Sequence, residues 1–495
     1  MTAKTLMVQG TASSVGKSVI VTALCRIFAD LGVRVAPFKA QNMSNNSFVT
    51  PEGLEIGRAQ AEQARAARRA PDVRMNPVLL KPESDMRSQV VLMGRAAGSL
   101  HAAYFNKRRS LWRRVRLALD GLREDYDLIV IEGAGSPAEI NLRKGDIVNM
   151  RVARYAQAPV LLVGDIDNGG VFAHLVGTLA LLTPSERRLV KGLIVNKFRG
   201  DYMLLEPGIG QLEKRTRLPV LGVLRYLHDL RLADEDAVAL DRPSPPGNGD
   251  RAAISVVVVR LPHISNFDDF DPLAAEKSVH LTYARRAGDV DAADLIILPG
   301  TKNTRGDLRW LKAQGIDAAI LRARGRGAAV LGVCGGFQML GLLLSDPAGV
   351  EGEPGSEAGL GLLDAQTLFA PAKTTRLVDA VVSTDRGLLA GARGVRVSGY
   401  EIHMGKTTAA EDHAFAIGEG RRPDGAVSTD GRVLGTYLHG LFANDALRTR
   451  IVANLTAGDE PSVQTRWDPE AHIDALARQV SQYLDIGRVR EIAGI

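Results

Sequence analysis

The chain has 495 residues, of which 45% are hydrophobic and 24% charged, and its formal net charge is +6. This length is enough for two or three domains with well-filled cores. Basic residues are dispersed and aromatic residues make up only 5% of the chain. That composition argues against a nucleic-acid-binding protein, because base stacking needs aromatic side chains.

We expect neither a membrane-spanning segment nor a secretory signal in this sequence. No stretch approaches the roughly eighteen apolar residues needed to cross a bilayer, and the N-terminus runs quickly into a Gly-rich loop. Only two cysteines are present, Cys25 in an apolar setting and Cys334 in a Gly-rich turn. Two cysteines in so long a chain give no disulfide framework. We therefore expect a cytoplasmic protein with neither membrane nor nucleic-acid partners.

Short β-like runs alternate with helical stretches along the chain, which predicts parallel sheets covered by helices. A linker-like composition at 241–250 separates two such series. From about residue 445 the pattern is helical. We predict one domain over 1–240, a second over 251–447 and a C-terminal helical extension over 448–495. In the first series the predicted strands are 5–9, 33–38, 127–131, 159–164, 192–196 and 219–224, and the predicted helices include 17–31 and 58–69.

The first predicted strand leads into a Gly-rich loop that ends in Gly16-Lys17-Ser18. In such a loop, backbone N–H groups surround phosphate oxygens, the Lys neutralises the β/γ charge and the Ser hydroxyl reaches Mg²⁺. The spacing is one residue longer than the usual P-loop. Asn196 ends a later strand, where its amide is predicted to contact the base. The predicted ATP-binding residues are Gly10, Thr11, Ser14, Val15, Gly16, Lys17, Ser18 and Asn196.

Carboxylates follow two other strands at the same predicted sheet edge, where ligands bind in these folds. Glu132 ends one strand, and Asp165 and Asp167 end the next. Together with Ser18, we predict Glu132 and Asp165 as Mg²⁺ ligands. Helix capping is an almost equally good explanation of the two Asp residues.

An amide-rich loop over 38–47 follows the second strand. Its many donors and acceptors suit a substrate with several carboxylate and amide groups, and Lys39 would place a cation near the phosphates. An ordinary polar turn is the alternative. Lys81 is a further candidate cation. The predicted substrate-binding residues are Lys39, Gln41, Asn42, Ser44 and Asn45.

In the second half, a β-like run leads directly into Gly332-Val333-Cys334-Gly335-Gly336 and then a helical pattern. A Cys at this sharp strand-to-helix turn is a nucleophile elbow, since the helix N-terminus favours the thiolate. His439, about a hundred residues later at the end of another β-like run, is the candidate base. We predict Cys334 and His439 as catalytic, with the backbone N–H groups of Gly300 and Gly335 binding the oxyanion.

Together these motifs resemble the cobyric acid synthases, which are glutamine-hydrolysing amidotransferases of cobalamin biosynthesis. The resemblance covers nearly the whole chain and is carried most specifically by residues 40–47, 132–139, 196–201, 299–304 and 398–405. It implies two α/β domains with mainly parallel sheets. The N-terminal domain would be P-loop NTPase-like, similar to dethiobiotin synthetase, and the C-terminal domain a class I glutamine amidotransferase with a flavodoxin-like fold.

The resemblance also implies the reaction. Cys334 would attack glutamine, His439 would activate it, and the released ammonia would amidate a corrinoid polycarboxylate four times, with Mg²⁺ and ATP used each time. Glutamine, ATP and the corrinoid are thus the expected partners, and a homodimer is one assembly left open.

Two positions depart from the family pattern. Leu441 stands where many class I amidotransferases have a Glu that completes a triad, with Glu401 as a speculative substitute. Asn168 replaces an expected Arg, and we assign it no role.

Two alternative functions stay open at this point. One is a related amidoligase, either the a,c-diamide synthase or a cell-wall lipid amidase. The other is a partitioning-type P-loop ATPase that carries an inactive amidotransferase domain.

Overall fold

The computed structural model describes residues 2–84, 87–101, 108–227, 254–456 and 465–495. The predicted linker at 241–250 lies outside these ranges. Within them, two large sheets form separate cores, one in each half of the chain. No helix in these ranges is long and apolar enough to cross a membrane.

The first half supplies twelve strands to the described structure. They are β1 (Lys4–Gly10), β2 (Val35–Phe38), β3 (Gln41–Met43), β4 (Ser47–Val49), β5 (Glu55–Gly57), β6 (Val78–Ser84), β7 (Arg87–Leu92), β8 (Arg95–His101), β9 (Leu128–Glu132), β10 (Val160–Asp165), β11 (Val190–Phe198) and β12 (Val220–Arg225). The helices of this half are α1 (Lys17–Asp30), α2 (Arg58–Ala66), α3 (Arg108–Asp125), α4 (Met150–Ala156), α5 (Val171–Leu181), α6 (Pro184–Arg187) and α7 (Tyr202–Thr216).

Six of these strands form a parallel sheet in the order β12-β11-β10-β1-β9-β2. They are the six strands that the sequence predicts. Strand β9 is buried along its whole length, as expected for a central parallel strand with helices on both faces. The carboxyl ends of β1, β9 and β10 therefore meet at one edge, where the Gly-rich loop lies.

The segment between β2 and α3 forms two smaller sheets that the sequence analysis does not predict. Their orders are β3-β6-β7-β8 and β4-β5. Both are short and rich in polar side chains, so the alternation of apolar residues that signals a strand is weak there. These small sheets carry the amide-rich loop toward the second half of the chain.

The second half also supplies twelve strands to the described structure. They are β13 (Ile254–Val259), β14 (Val279–Ala284), β15 (Leu295–Leu298), β16 (Ala329–Val333), β17 (Leu343–Asp346), β18 (Gly355–Ala358), β19 (Ala365–Val382), β20 (Arg396–Ala409), β21 (Phe415–Ile417), β22 (Arg422–Asp424), β23 (Ala426–Val427) and β24 (Val433–Thr436). Its helices are α8 (Asp271–Ala274), α9 (Thr304–Ala313), α10 (Ile316–Gly325), α11 (Gly335–Leu340), α12 (Asp445–Leu455), α13 (Pro469–Tyr483) and α14 (Ile486–Ala493).

The main sheet of this half has the order β14-β13-β15-β16-β24-β23 and is parallel except for the edge strand β23. A second, largely antiparallel sheet contains β18-β17-β19-β21-β22, with β20 paired to β19. The long β19–β20 hairpin brings Ile402 to the Cys334 side chain, where the thiol donates to the Ile402 carbonyl at 3.4 Å. The hairpin thus covers the elbow.

The last two helices return to the first half of the chain. Helix α13 packs on α1, where the fully buried Arg26 pairs with Glu470 and Asp474. Leu476 and Val480 of α13 join the core formed by α1 and the first sheet. The C-terminal residues therefore complete the core of the first half, although they follow the second half in sequence.

Candidate active site

Cys334 occupies the sharp turn between β16 and α11, with φ 53° and ψ −110°. This strained conformation is accepted because the surrounding glycines allow close packing. A Cβ added to Gly336 would lie 1.9 Å from the Leu298 carbonyl oxygen. Only glycine fits there, so the sequence Cys-Gly-Gly is what lets the helix begin directly beneath the thiol.

His439 follows β24, the strand next to β16, and its buried ring interacts with the Cys334 side chain. A Cβ on Gly300 would lie 3.1 Å from the ring carbon Cε1 of His439. Gly335 is the first residue of α11 and lies against Thr301. The structure thus brings together all four residues predicted for this site.

A carboxylate absent from the sequence prediction completes this group. The Oδ2 atom of Asp269 lies 2.6 Å from Nδ1 of His439, and its Oδ1 accepts a hydrogen bond of 2.9 Å from the backbone of Gly440. Asp269 belongs to a short 3-10 helix, Phe267–Phe270, that follows β13. Leu441 is buried, and Glu401 pairs with Arg376 and Arg422 instead. The suggestion that Glu401 orients His439 is wrong.

The protonation state of the His439 ring follows from burial and from its neighbours Asp269 and Cys334. Burial by itself would lower the pKa of His439, but Asp269, with a further contribution from Cys334, raises it to about 10. The imidazole therefore keeps its proton at neutral pH. A protonated imidazole beside a thiol stabilises the thiolate form.

The second site lies at the carboxyl edge of the first sheet. The Lys17 ammonium donates to the carbonyls of Ala12 and Gly135 at 2.9 and 3.2 Å, and the Ser18 hydroxyl donates to Glu132 at 2.8 Å. Gly16 has a positive φ of 99°, which suits glycine. The loop thus turns tightly around the start of α1, as a phosphate cradle requires.

Glu132 is fully buried and connects several side chains there. It accepts from Lys39 at 2.8 Å and from Gln63 at 2.5 Å, in addition to Ser18. Burial acts to raise the pKa of Glu132, but the Lys39 charge and these hydrogen bonds hold it below its ordinary value. Glu132 therefore stays ionised next to the Ser18 hydroxyl.

The other predicted residues of this edge have structural partners. Asp165 accepts from Lys197 at 2.7 Å and caps the following turn through the backbone of Asp167. Asn196 is buried and donates to the Val15 carbonyl at 2.8 Å. Asn196 therefore supports the loop from beneath, and its contact with the nucleotide base stays a prediction. Gly10 lies against Val15, and the Thr11 backbone pairs with Val163.

A cleft of about 420 Å³ opens in front of the loop. Ser14, Lys17, Lys39, Gln41 and Asn42 line it. Of the predicted substrate-binding residues, Ser44 and Asn45 lie outside this lining. The chain turns there toward the second half, where Asn46 and Ser47 exchange hydrogen bonds of 2.7 and 3.0 Å with Asn266.

Helix α2 contacts both sites. At its start, Arg58 pairs with Asp268 at 2.9 Å, next to the Asp269 that holds His439. Five residues later, Gln63 donates to Glu132 beside the P-loop. This separation is about 7.5 Å along a helix axis. The two sites are therefore connected through a single rigid element.

Comparison with known proteins agrees with this two-site arrangement. Residues 6–239 match the family described as the CobQ/CobB/MinD/ParA nucleotide binding domain, and residues 255–447 match the CobB/CobQ-like glutamine amidotransferase domain. The cobyric acid synthase of Sorangium cellulosum is 50% identical over 100% of this chain and 99% of its own. That of Salmonella heidelberg is 51% identical over 98% of each chain. The chain belongs to the cobyric acid synthase family.

Family membership confirms the predicted enzyme class and the predicted fold class. The cobyric acid synthase of Moorella thermoacetica, 48% identical over 100% of this chain and 98% of its own, extends the same likeness. The chain therefore contains a nucleotide-binding half and a glutamine amidotransferase half of one biosynthetic enzyme.

Proposed function

We propose that this chain uses ATP and glutamine to amidate the b, d, e and g carboxylates of adenosylcobyrinic acid a,c-diamide, giving adenosylcobyric acid. One observation carries the proposal: the Cys334–His439–Asp269 group and the P-loop of Lys17 occupy one chain and are connected through α2. The full-length likeness to cobyric acid synthases supports the choice of substrate.

In the glutaminase half, the Cys334 thiolate attacks the side-chain carbonyl of glutamine. The protonated His439 donates to the leaving nitrogen, which departs as ammonia and leaves a glutamyl thioester that water hydrolyses. Backbone N–H groups of Gly300 and Gly335 stabilise the negative oxygen of the tetrahedral intermediate. Asp269 keeps the imidazole in the orientation that points its other nitrogen to the sulfur.

In the nucleotide half, the substrate carboxylate attacks the γ-phosphorus of ATP and releases ADP, because a carboxylate must become an acyl phosphate before ammonia can displace its oxygen. Lys17 and the loop N–H groups hold the phosphates. Ser18 and Glu132 are oxygen donors 2.8 Å apart that would hold Mg²⁺, which neutralises phosphate charge when bound. Lys39 stands next to them as a cation for the substrate carboxylate.

We propose that ammonia made at Cys334 moves inside the protein to the P-loop site. The buried side chains of Asn42, Asn46, Gln60 and Asn266 lie in the region between the two sites. Buried amide side chains can form hydrogen bonds with a small molecule such as ammonia.

The test is mass spectrometry of the a,c-diamide corrinoid after incubation with glutamine and Mg-ATP. We expect four successive carboxylates to become carboxamides, each dependent on ATP. Amidation of cobyrinic acid itself or of a lipid-linked cell-wall precursor, with no reaction on the a,c-diamide, would assign the chain to a different amidoligase. Release of no ammonia from glutamine would contradict the glutaminase assignment.

The role of Asp269 gives a prediction that depends on pH. Asp269→Asn should lower kcat/KM for glutamine hydrolysis by about 10²-fold or more, because the imidazolium loses its carboxylate partner. The pKa of His439 should fall from about 10 toward its ordinary value. Since activity needs the protonated ring, the alkaline limb of the pH–rate profile should move to lower pH.

The control for this prediction is Glu401→Gln, which removes a buried carboxylate held by two arginines and not by His439. We expect it to affect thermal stability and to leave the alkaline limb in place. An Asp269→Asn enzyme with an unchanged pH profile would show that Asp269 does not act through His439.

A further inference from the structure

The cavity beside Cys334 contains charged side chains that the catalytic group does not use. Both halves of the chain line it: Lys81 and Gln89 come from the first half, and Lys373 and Glu351 from the second. A site for hydrolysing a simple amide needs no such charges. Their presence next to the nucleophile calls for a ligand that is itself charged.

One side of the cavity is cationic. Glu55, only 1% exposed, accepts from Lys81 at 2.8 Å and from Lys373 at 2.5 Å. Two ammonium groups thus share one carboxylate, so the cluster has a surplus positive charge in a buried place, which is costly unless a further anion pairs with it. Burial and the nearby Lys81 charge lower the pKa of Lys373 to about 8, although Glu55 opposes this.

Within the described ranges, Glu55 is the only carboxylate in an ion pair with Lys81 or Lys373. Lys302 also lines the cavity and pairs with Glu83 at 3.1 Å, and Glu83 pairs with Arg87 as well. Two cations, Lys302 and Arg87, thus share the Glu83 carboxylate, so this cluster also has more positive than negative groups. Lys373 pairs with Met404 across the β19–β20 hairpin. This side of the cavity is suited to a carboxylate because its ammonium groups outnumber their carboxylate partners.

The other side of the cavity is acidic. Glu351 accepts from the backbone and the hydroxyl of Thr304 at 2.9 and 3.1 Å. The Thr304 hydroxyl oxygen also lies 3.1 Å from the side-chain oxygen of Gln338, which is on the helix that Cys334 begins. Burial raises the pKa of Glu351 to about 7, partly offset by Lys302. A cation bound here would keep this carboxylate ionised.

We propose that the two sides of this cavity recognise the charged α-carbon groups of glutamine, with Lys373 binding the α-carboxylate and Glu351 the α-ammonium. Glu55 and Lys81 act as positioning residues, so the nucleotide-binding half of the chain supplies part of the glutamine site. The inference rests on the proposed glutaminase activity of Cys334 and names the residues that give it specificity.

This recognition has a chemical purpose. The proposed product carries several primary carboxamides, which are the same functional group that Cys334 attacks in glutamine. A cavity that binds only an amide attached to a zwitterion excludes the product's amides from the nucleophile. Unpaired buried charges make the rejection of a neutral analogue strong, because the analogue leaves them without partners.

The test compares three amides as substrates for ammonia release by the full chain. Glutamine has both α-groups, glutamine α-amide lacks the carboxylate charge, and glutaramate lacks the amine. We expect the unmodified enzyme to prefer glutamine by about 10²-fold in kcat/KM over either analogue. Lys373→Met should reduce kcat/KM for glutamine by a similar factor, mainly by raising KM. The Lys373→Met enzyme should then hydrolyse glutamine and its α-amide with equal kcat/KM. Glu351→Gln should remove the preference over glutaramate.

Three further variants make the result decisive. Lys373→Arg should keep the preference for glutamine over its α-amide. Lys81→Met should weaken this preference, although Lys81 belongs to the other half of the chain. Lys406→Met, an exposed lysine on the same hairpin, should change nothing. Retained ammonium-dependent synthesis in each variant shows that it is folded.

Equal use of glutamine and its α-amide by the unmodified enzyme would overturn the proposal, whatever the variants do. A Lys373→Met enzyme that still prefers glutamine would also overturn it. Absence of ammonia release from glutamine in the unmodified enzyme would instead refute the proposed glutaminase itself.

Discussion

Cys334→Ala is expected to abolish glutamine-dependent amidation, by about 10³-fold or more, and to leave amidation from ammonium salts within about twofold of the unmodified enzyme. The thiol is the atom that breaks the amide bond of glutamine, but it lies in the half of the chain that does not bind ATP. Supplying ammonia directly removes the need for it. The measurement is amidated corrinoid formed with each nitrogen source.

The matched control is Cys25→Ala, because Cys25 is the other cysteine and is fully buried on α1. Burial strongly raises the pKa of the Cys25 thiol, so it is no nucleophile. This variant should lose some stability through the cavity left in the core and should keep both activities. Loss of ammonium-dependent synthesis in Cys334→Ala would contradict the division of the reaction between the two halves.

Lys17→Ala is expected to abolish synthesis from both nitrogen sources, by about 10²- to 10³-fold. The Lys17 ammonium is the cation of the loop and donates to the Ala12 carbonyl in the loop and to the Gly135 carbonyl after β9. Without it, the acyl phosphate does not form, and ammonia from any source has nothing to displace. The measurement is ATP-dependent amidation together with ADP release.

Lys214→Ala, an exposed lysine near the end of α7, is the control for charge removal and should behave like the unmodified enzyme. Thermal unfolding of Lys17→Ala within a few degrees of the unmodified enzyme would show that the loop change is local. An enzyme lacking Lys17 that still makes product from ammonium salts would refute the assignment of the P-loop.

Much of the architecture could be predicted because its signals are local. The strands of the first sheet are mainly apolar runs. A run such as Leu128–Glu132 is typical of a parallel strand that is buried on both faces, and it is buried along its whole length. The smaller sheets between residues 41 and 101 could not be predicted in this way. Their strands are half polar, so the apolar pattern that signals a strand is weak there.

The partners of individual polar side chains were predicted less well. Asn196 and Asp165 lie at the expected sheet edge, and the structure adds protein partners that the sequence does not predict: Asn196 donates to the loop and Asp165 accepts from Lys197. Sequence position places a residue at the end of a strand, and it does not determine whether the side chain points outward or back into the protein. That choice depends on neighbours that are distant in sequence.

The sequence by itself determined the nucleophile elbow at Cys334, the Gly-rich loop at Lys17 and the two α/β series that hold them, since each depends on residues adjacent in the chain. Only the tertiary structure decided that Asp269 is the carboxylate on His439, 170 residues away. It likewise decided that Glu55 and Lys81 meet Lys373 across the two halves. These contacts bring together residues far apart in the chain, so the partner of each buried charge can be identified only from the folded structure.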